Sequence, residues 1–95
     1  MSDSRSNSAK KGNYRVVPTK SFLKDLRKLD KVSNRRVIEA AELLNSDPYL
    51  GKALRGPLEG LRSLRVGTLR VIYSVEDDAR TVTLHAARHR RSVYG

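Results

Sequence analysis

Apolar residues recur along this chain in two different rhythms. In the first half the spacing is helical. Phe22, Leu23, Leu26 and Leu29 fall three and four residues apart, and Thr19 stands just before them as a side chain able to cap the first turn. Val37, Ala40, Ala41 and Leu44 share one face of a second helix, with Arg35, Arg36, Glu39 and Glu42 spread elsewhere. A break over residues 30–33 separates the two, short enough to favour an antiparallel helical hairpin. Asn45-Ser46-Asp47-Pro48 closes the second helix, because Pro48 cannot continue it.

In the second half the rhythm shortens to two. Residues 61–66, 69–75 and 80–86 read as strands, joined by Gly67-Thr68 and by Glu76-Asp77-Asp78. Leu69-Arg70-Val71-Ile72-Tyr73, rich in β-branched and aromatic residues, should be central. A further short strand, Tyr14-Arg15-Val16-Val17, precedes the helices and stops at Pro18. The order β-α-α-β-β-β makes this an α+β fold: a small antiparallel sheet with two N-terminal helices packed on it. Residues 49–60 fit neither period and read as a loop. Residues 1–12, polar and without periodic apolar positions, read as a flexible basic tail before a single domain at 13–95. No internal repeat is present.

Composition narrows the function classes. The chain has 95 residues, no Cys and no Trp, so one domain is expected and neither a disulfide framework nor a thiolate metal site is possible. No apolar run reaches the ~18 residues needed to cross a bilayer, and the N-terminus has no secretory apolar core. A cytoplasmic, non-membrane protein is expected. With 20 Lys and Arg against 10 Asp and Glu, the net charge of +10 points to polyanionic partners. Half of that net charge lies in residues 52–95, where Lys52 is the one lysine beside eight arginines. Arg presents a planar fork that matches phosphate, which Lys lacks. Only five aromatic residues are present, thin for a base-stacking platform.

The residues offer little for most enzyme chemistries. His85 and His89 are the only histidines and no acidic cluster has metal-ligand spacing, so neither a metal nor a cofactor is expected. Asp77 and Asp78 read as solvated turn residues. There is no nucleophile elbow and no Gly-rich phosphate loop. RNA cleavage through the substrate's own 2′-OH needs less. The protein must align the RNA, stabilise charge developing at phosphorus and carry protons. Arg supplies the charge but stays protonated, so Tyr or His is the better proton carrier. The candidates are Arg65 and Arg70, which flank the Gly67-Thr68 turn, and Arg90 and Tyr94 in the terminal run. Strand alternation sends Leu64 and Val66 to one face and Ser63 and Arg65 to the other. Tyr73 and His85 read as structural residues. Lys52, Arg55, Arg62, His89 and Arg91 are further candidates for holding RNA.

These stretches resemble the RelE/ParE superfamily of toxins from toxin–antitoxin modules. The resemblance is carried by Leu54-Arg55-Gly56 with Leu58-Glu59-Gly60, by residues 64–73, by His89-Arg90-Arg91-Ser92-Val93-Tyr94 and by the texture of residues 22–29. It implies a small antiparallel sheet bearing two helices, and cleavage of mRNA in the ribosomal decoding site. On that resemblance, Arg70 would meet the scissile phosphate, Arg90 would act at the transition state and Tyr94 would be the closing tyrosine. The best-known pattern places two lysines where this chain has Leu61 and Ser63, with Arg62 or Arg65 as the nearest substitutes. Relatives that use a Glu base and a His acid have no matching Glu at 52–55, although His89 would match the His. The general base is left open, as is a ParE-like inhibition of DNA gyrase or a non-enzymatic role in binding RNA or DNA. The resemblance also implies an acidic or amphipathic antitoxin partner, a complex that binds operator DNA, and contact with the ribosome.

Overall fold

The computed structural model describes residues 14–89. The expected tail at 1–12 lies outside them, as do Arg90, Arg91 and Tyr94. Strand β1 is Arg15–Pro18, helix α1 is Lys20–Arg27 and helix α2 is Lys31–Leu43. Strands β2 (Lys52–Ala53), β3 (Arg62–Val66), β4 (Leu69–Glu76) and β5 (Thr81–His89) follow, with a 3₁₀ turn at Gly56–Leu58 between β2 and β3. Among the described residues no helix is long and apolar enough to cross a membrane.

Helix α1 starts where the sequence marks it. Thr19 is extended and its Oγ1 accepts the Phe22 N–H at 3.1 Å. The same hydroxyl donates to the Leu84 carbonyl at 2.8 Å, which ties the cap to β5. Helix α2 begins earlier than its apolar face suggests, at Lys31, with Asp30 in the extended capping position. The break between the helices is correspondingly shorter.

The sheet has five strands in the order β1-β5-β4-β3-β2. Strands β2 to β5 form the expected antiparallel meander. Strand β1 pairs parallel to β5, Arg15 beside Thr81 and Pro18 beside Leu84, so the sheet is mixed rather than purely antiparallel. Periodicity marks a strand but carries no information about which distant edge will take it. Where Pro18 ends β1, α1 continues along the edge of β5: Asp25 Oδ2 accepts the Ala87 N–H at 3.0 Å. The segment at 49–60 contains β2 and the 3₁₀ turn, both too short to leave a periodic trace.

The core lies between the helices and one face of the sheet. Phe22, Val37, Ala41 and Leu44 pack against Leu69, Val71, Tyr73, Val82, Leu84 and Ala87. Burying such aliphatic and aromatic side chains stabilises a fold by about 1.5–3 kcal/mol each. Strand β4 is central, flanked by β3 and β5. The opposite face of the sheet carries the alternate residues, among them Arg65 and Arg70.

Candidate nucleic-acid interface

The Gly67-Thr68 turn joins β3 and β4 tightly, with Gly67 at φ 64°, a conformation glycine adopts without a Cβ penalty. Val66 therefore pairs with Leu69, and Arg65 falls directly opposite Arg70. Across the next ladder Arg70 pairs with Arg88. Three arginines thus form a row across β3, β4 and β5, on the face turned away from the helices. Like charges directly opposite each other destabilise a strand pair. An anion lying across them would turn that repulsion into attraction.

Strand β5 reaches this arrangement through a bulge. Ile72 pairs with Ala86 but Tyr73 pairs with Leu84, leaving His85 as an extra residue. The insertion resets the alternation. Ala87 turns into the core, 2% exposed, and Arg88 falls on the face of Arg70. The bulged His85 meets Ser74 across the ladder, Nε2 to Oγ at 2.9 Å. Arg88 did not stand out in the sequence, because without the bulge its parity would point it toward the helices.

Each arginine is held differently. Arg70 is half-buried and its Nη1 donates to Ser63 Oγ at 3.3 Å. Arg88 is held by Asp25, whose Oδ2 accepts its Nε at 3.3 Å. Arg65 is exposed at the edge. Lys52 pairs with Ser63 and so enters the same face from β2. Lys52, Ser63, Arg65 and Arg70 line a groove of about 610 Å³ that runs around the edge of β3 to Leu43 and Leu50.

The remaining candidates are placed elsewhere. Arg55 is exposed beyond β2, ahead of the 3₁₀ turn. Arg62 stands opposite Tyr73, on the helix side of the pleat. Its Nε and Nη2 donate to the Gly51 carbonyl at 3.1 and 2.7 Å, and its guanidinium lies over the Tyr49 ring at 5.0 Å. His89 pairs with Leu69 and is likewise off the arginine row. Arg90, Arg91 and Tyr94 lie outside the described residues.

At the other end of the sheet Asp77 is more than a solvated turn residue. It accepts the Tyr14 hydroxyl at 2.7 Å and also the Tyr49 hydroxyl. Those two hydrogen bonds hold its carboxyl below the ordinary value. They push the Tyr14 phenol up, and the Tyr49 phenol up to about 12. Arg80 lies over the Tyr14 ring at 5.6 Å. The cluster ties together β1, the loop after α2 and the β4–β5 turn.

Comparison with known proteins agrees with this architecture. The family described as ParE toxin of type II toxin-antitoxin system, parDE, matches residues 16–94. The chain belongs to that family, within the RelE/ParE superfamily. Toxin RelE of Mycobacterium tuberculosis is 38% identical over 82 residues, covering 83% of this chain and 84% of that protein. The crystal structure of the toxin–antitoxin complex RelBE2 from the same organism matches this ParE-family chain with a TM-score of 0.77 and 37% identity. That match covers 81% of this chain and 91% of that one. An archaeal RelE–RelB complex from Pyrococcus horikoshii OT3 matches with a TM-score of 0.67 and 30% identity, over 81% of this chain and 94% of that one.

Proposed function

We propose that this toxin is a ribosome-dependent mRNA endoribonuclease, held inactive by a cognate antitoxin. The observation that carries this reading is the row Arg65–Arg70–Arg88, with Lys52 beside it, on one face of the sheet. Its sequence similarity to a toxin named RelE supports the same reading.

In the proposed reaction the 2′-oxygen of the RNA attacks the adjacent phosphorus. A 2′,3′-cyclic phosphate forms, the bond to the 5′-oxygen of the next nucleotide breaks, and the 2′-OH proton is removed as the leaving oxygen gains one. The nucleophile belongs to the RNA, so the protein contributes alignment and charge. Arg70, half-buried and steadied by Ser63, grips the scissile phosphate, and Arg65 and Arg88 hold the backbone on either side. Positive charge already in place where negative charge grows is the strongest form of such stabilisation. Arg remains protonated, so proton transfer falls to another group. Tyr94 is the proposed carrier and Arg90 a second transition-state cation. Lys52, opposite Ser63, supplies from the neighbouring strand a cation where the superfamily pattern has a lysine.

The antitoxin assignment draws on two solved relatives, both toxin–antitoxin complexes. Binding of operator DNA is assigned to the joint complex, and contact with ribosomal RNA to the free toxin in the cytoplasm. Expression in cells with mapping of mRNA 5′ ends, alongside DNA supercoiling and strand breaks, tests the proposal. Cuts within codons that require the ribosome are expected. Intact mRNA accompanied by double-strand DNA breaks would overturn it in favour of gyrase inhibition.

A further inference from the structure

Strand β2 is only two residues long, so its own pairing holds it weakly. Yet it carries Lys52 into the groove. The residue before it is gripped on both sides. The Gly51 N–H donates to the Tyr73 hydroxyl at 2.8 Å, and that hydroxyl donates to the Pro48 carbonyl at 2.9 Å. The Gly51 carbonyl accepts two hydrogen bonds from Arg62, whose guanidinium rests on Tyr49. The approach is close enough to require glycine: a Cβ here would stand 2.7 Å from the Tyr73 oxygen and 2.8 Å from the Ser63 carbonyl oxygen.

We propose that Arg62 and Tyr73 are positioning residues that set Lys52 against the RNA, and that Arg62 makes no RNA contact of its own. The proposal rests on the reading of the arginine face as an RNA site. Three observations support it. The register puts Arg62 on the helix side of the sheet, away from Arg65 and Arg70. Its Nε and Nη2 both donate to the Gly51 carbonyl, and Nη2 also reaches the Tyr49 carbonyl at 3.4 Å. Tyr73 is 0% exposed and cannot reach a ligand, yet it holds the other half of the same peptide segment.

The salt dependence of RNA binding separates positioning from contact. Each phosphate neutralised on a single strand adds about 0.7 to the slope of log affinity against log salt. The probe is a fluorescent, fully 2′-O-methylated single-stranded RNA, which cannot be cut. Lys52→Ala should lower the slope by about 0.7. Tyr73→Phe changes no charge, but should lower it equally, and should lower it no further in the Lys52→Ala background. Arg62→Gln removes the 2.7 Å Nη2 hydrogen bond to the Gly51 carbonyl, so it should lower the slope as Tyr73→Phe does, and likewise no further in the Lys52→Ala background.

A further loss of about 0.7 when Arg62→Gln is added to Lys52→Ala would show direct contact and overturn the proposal, and so would an unchanged slope in Arg62→Gln alone. So would a folded Tyr73→Phe with unchanged slope. If Tyr73→Phe shows no cooperative melt, Arg62→Gln decides alone. Arg70→Ala is the control for the site. Should it leave the slope untouched, the RNA face itself is wrong, and the role given to Lys52 falls with it.

Discussion

Arg65 and Arg70 stand directly opposite each other across β3 and β4. A protein selected for stability alone gains nothing from this pair, since each guanidinium raises the cost of the other. Arg70→Ala relieves that repulsion but loses the hydrogen bond to Ser63, so the melting temperature should change little. Cleavage of mRNA by purified toxin on ribosomes should fall by about 10²–10³-fold, the range for removing one preorganised charge-stabilising donor. A folded variant that cuts at the wild-type rate would remove Arg70 from the site.

Asp25 joins α1 to the site by accepting both the Ala87 N–H and the Arg88 Nε. Its side chain is only 12% exposed, so Asp25→Ala leaves a backbone donor poorly satisfied. The expected loss is about 1–3 kcal/mol. In a domain of this size each kcal/mol corresponds to about 4–8 °C in Tm. Asp25→Asn keeps an acceptor oxygen and should lose much less. Thermal melts of both variants check this; equal melts would show that the hydrogen bonds contribute nothing net.

Gly51→Ala must displace the Ser63 carbonyl, a backbone atom that cannot swing aside. Overpacking of this kind costs about 1–3 kcal/mol. Urea titration should show a lower midpoint with an unchanged slope. A midpoint equal to wild type would mean that the loop can move without loss.

The Asp77 cluster makes stability depend on pH at both extremes. Asp77 has a lowered folded value, so its contribution is present above the ordinary 3.8 and is lost as pH falls through the folded value. Tyr49 has a raised value. Its contribution is complete below the ordinary 10.0 and is lost as pH rises through about 12. Asp77→Asn should flatten the Tm profile on both the acid and the alkaline side. Profiles that superimpose on wild type would show that the cluster does not couple to folding.

Much of this architecture was written locally. Thr19 and the spacing of Phe22, Leu26 and Leu29 specify α1, because capping and amphipathicity act within a few residues. The two-residue turn at Gly67-Thr68 even determines that Arg65 meets Arg70, since a short turn leaves one register. The alternation of residues 69–75 likewise marks the central strand.

What the tertiary structure decided is whatever depends on distant partners. The parallel pairing of β1 with β5 joins residues 66 positions apart, from Arg15 to Thr81. The bulge at His85 turns Arg88 onto the arginine face, and no local pattern announces an inserted residue. Gly51 is gripped by Tyr73 and Arg62 from two other strands, an arrangement no local pattern announces. Asp77 gathers tyrosines from two remote segments. Residue types and short-range periodicity determined the elements and supplied the arginines. Long-range register determined which of those arginines share a face, because the side of the sheet that a side chain occupies is known only once every strand has found its neighbour.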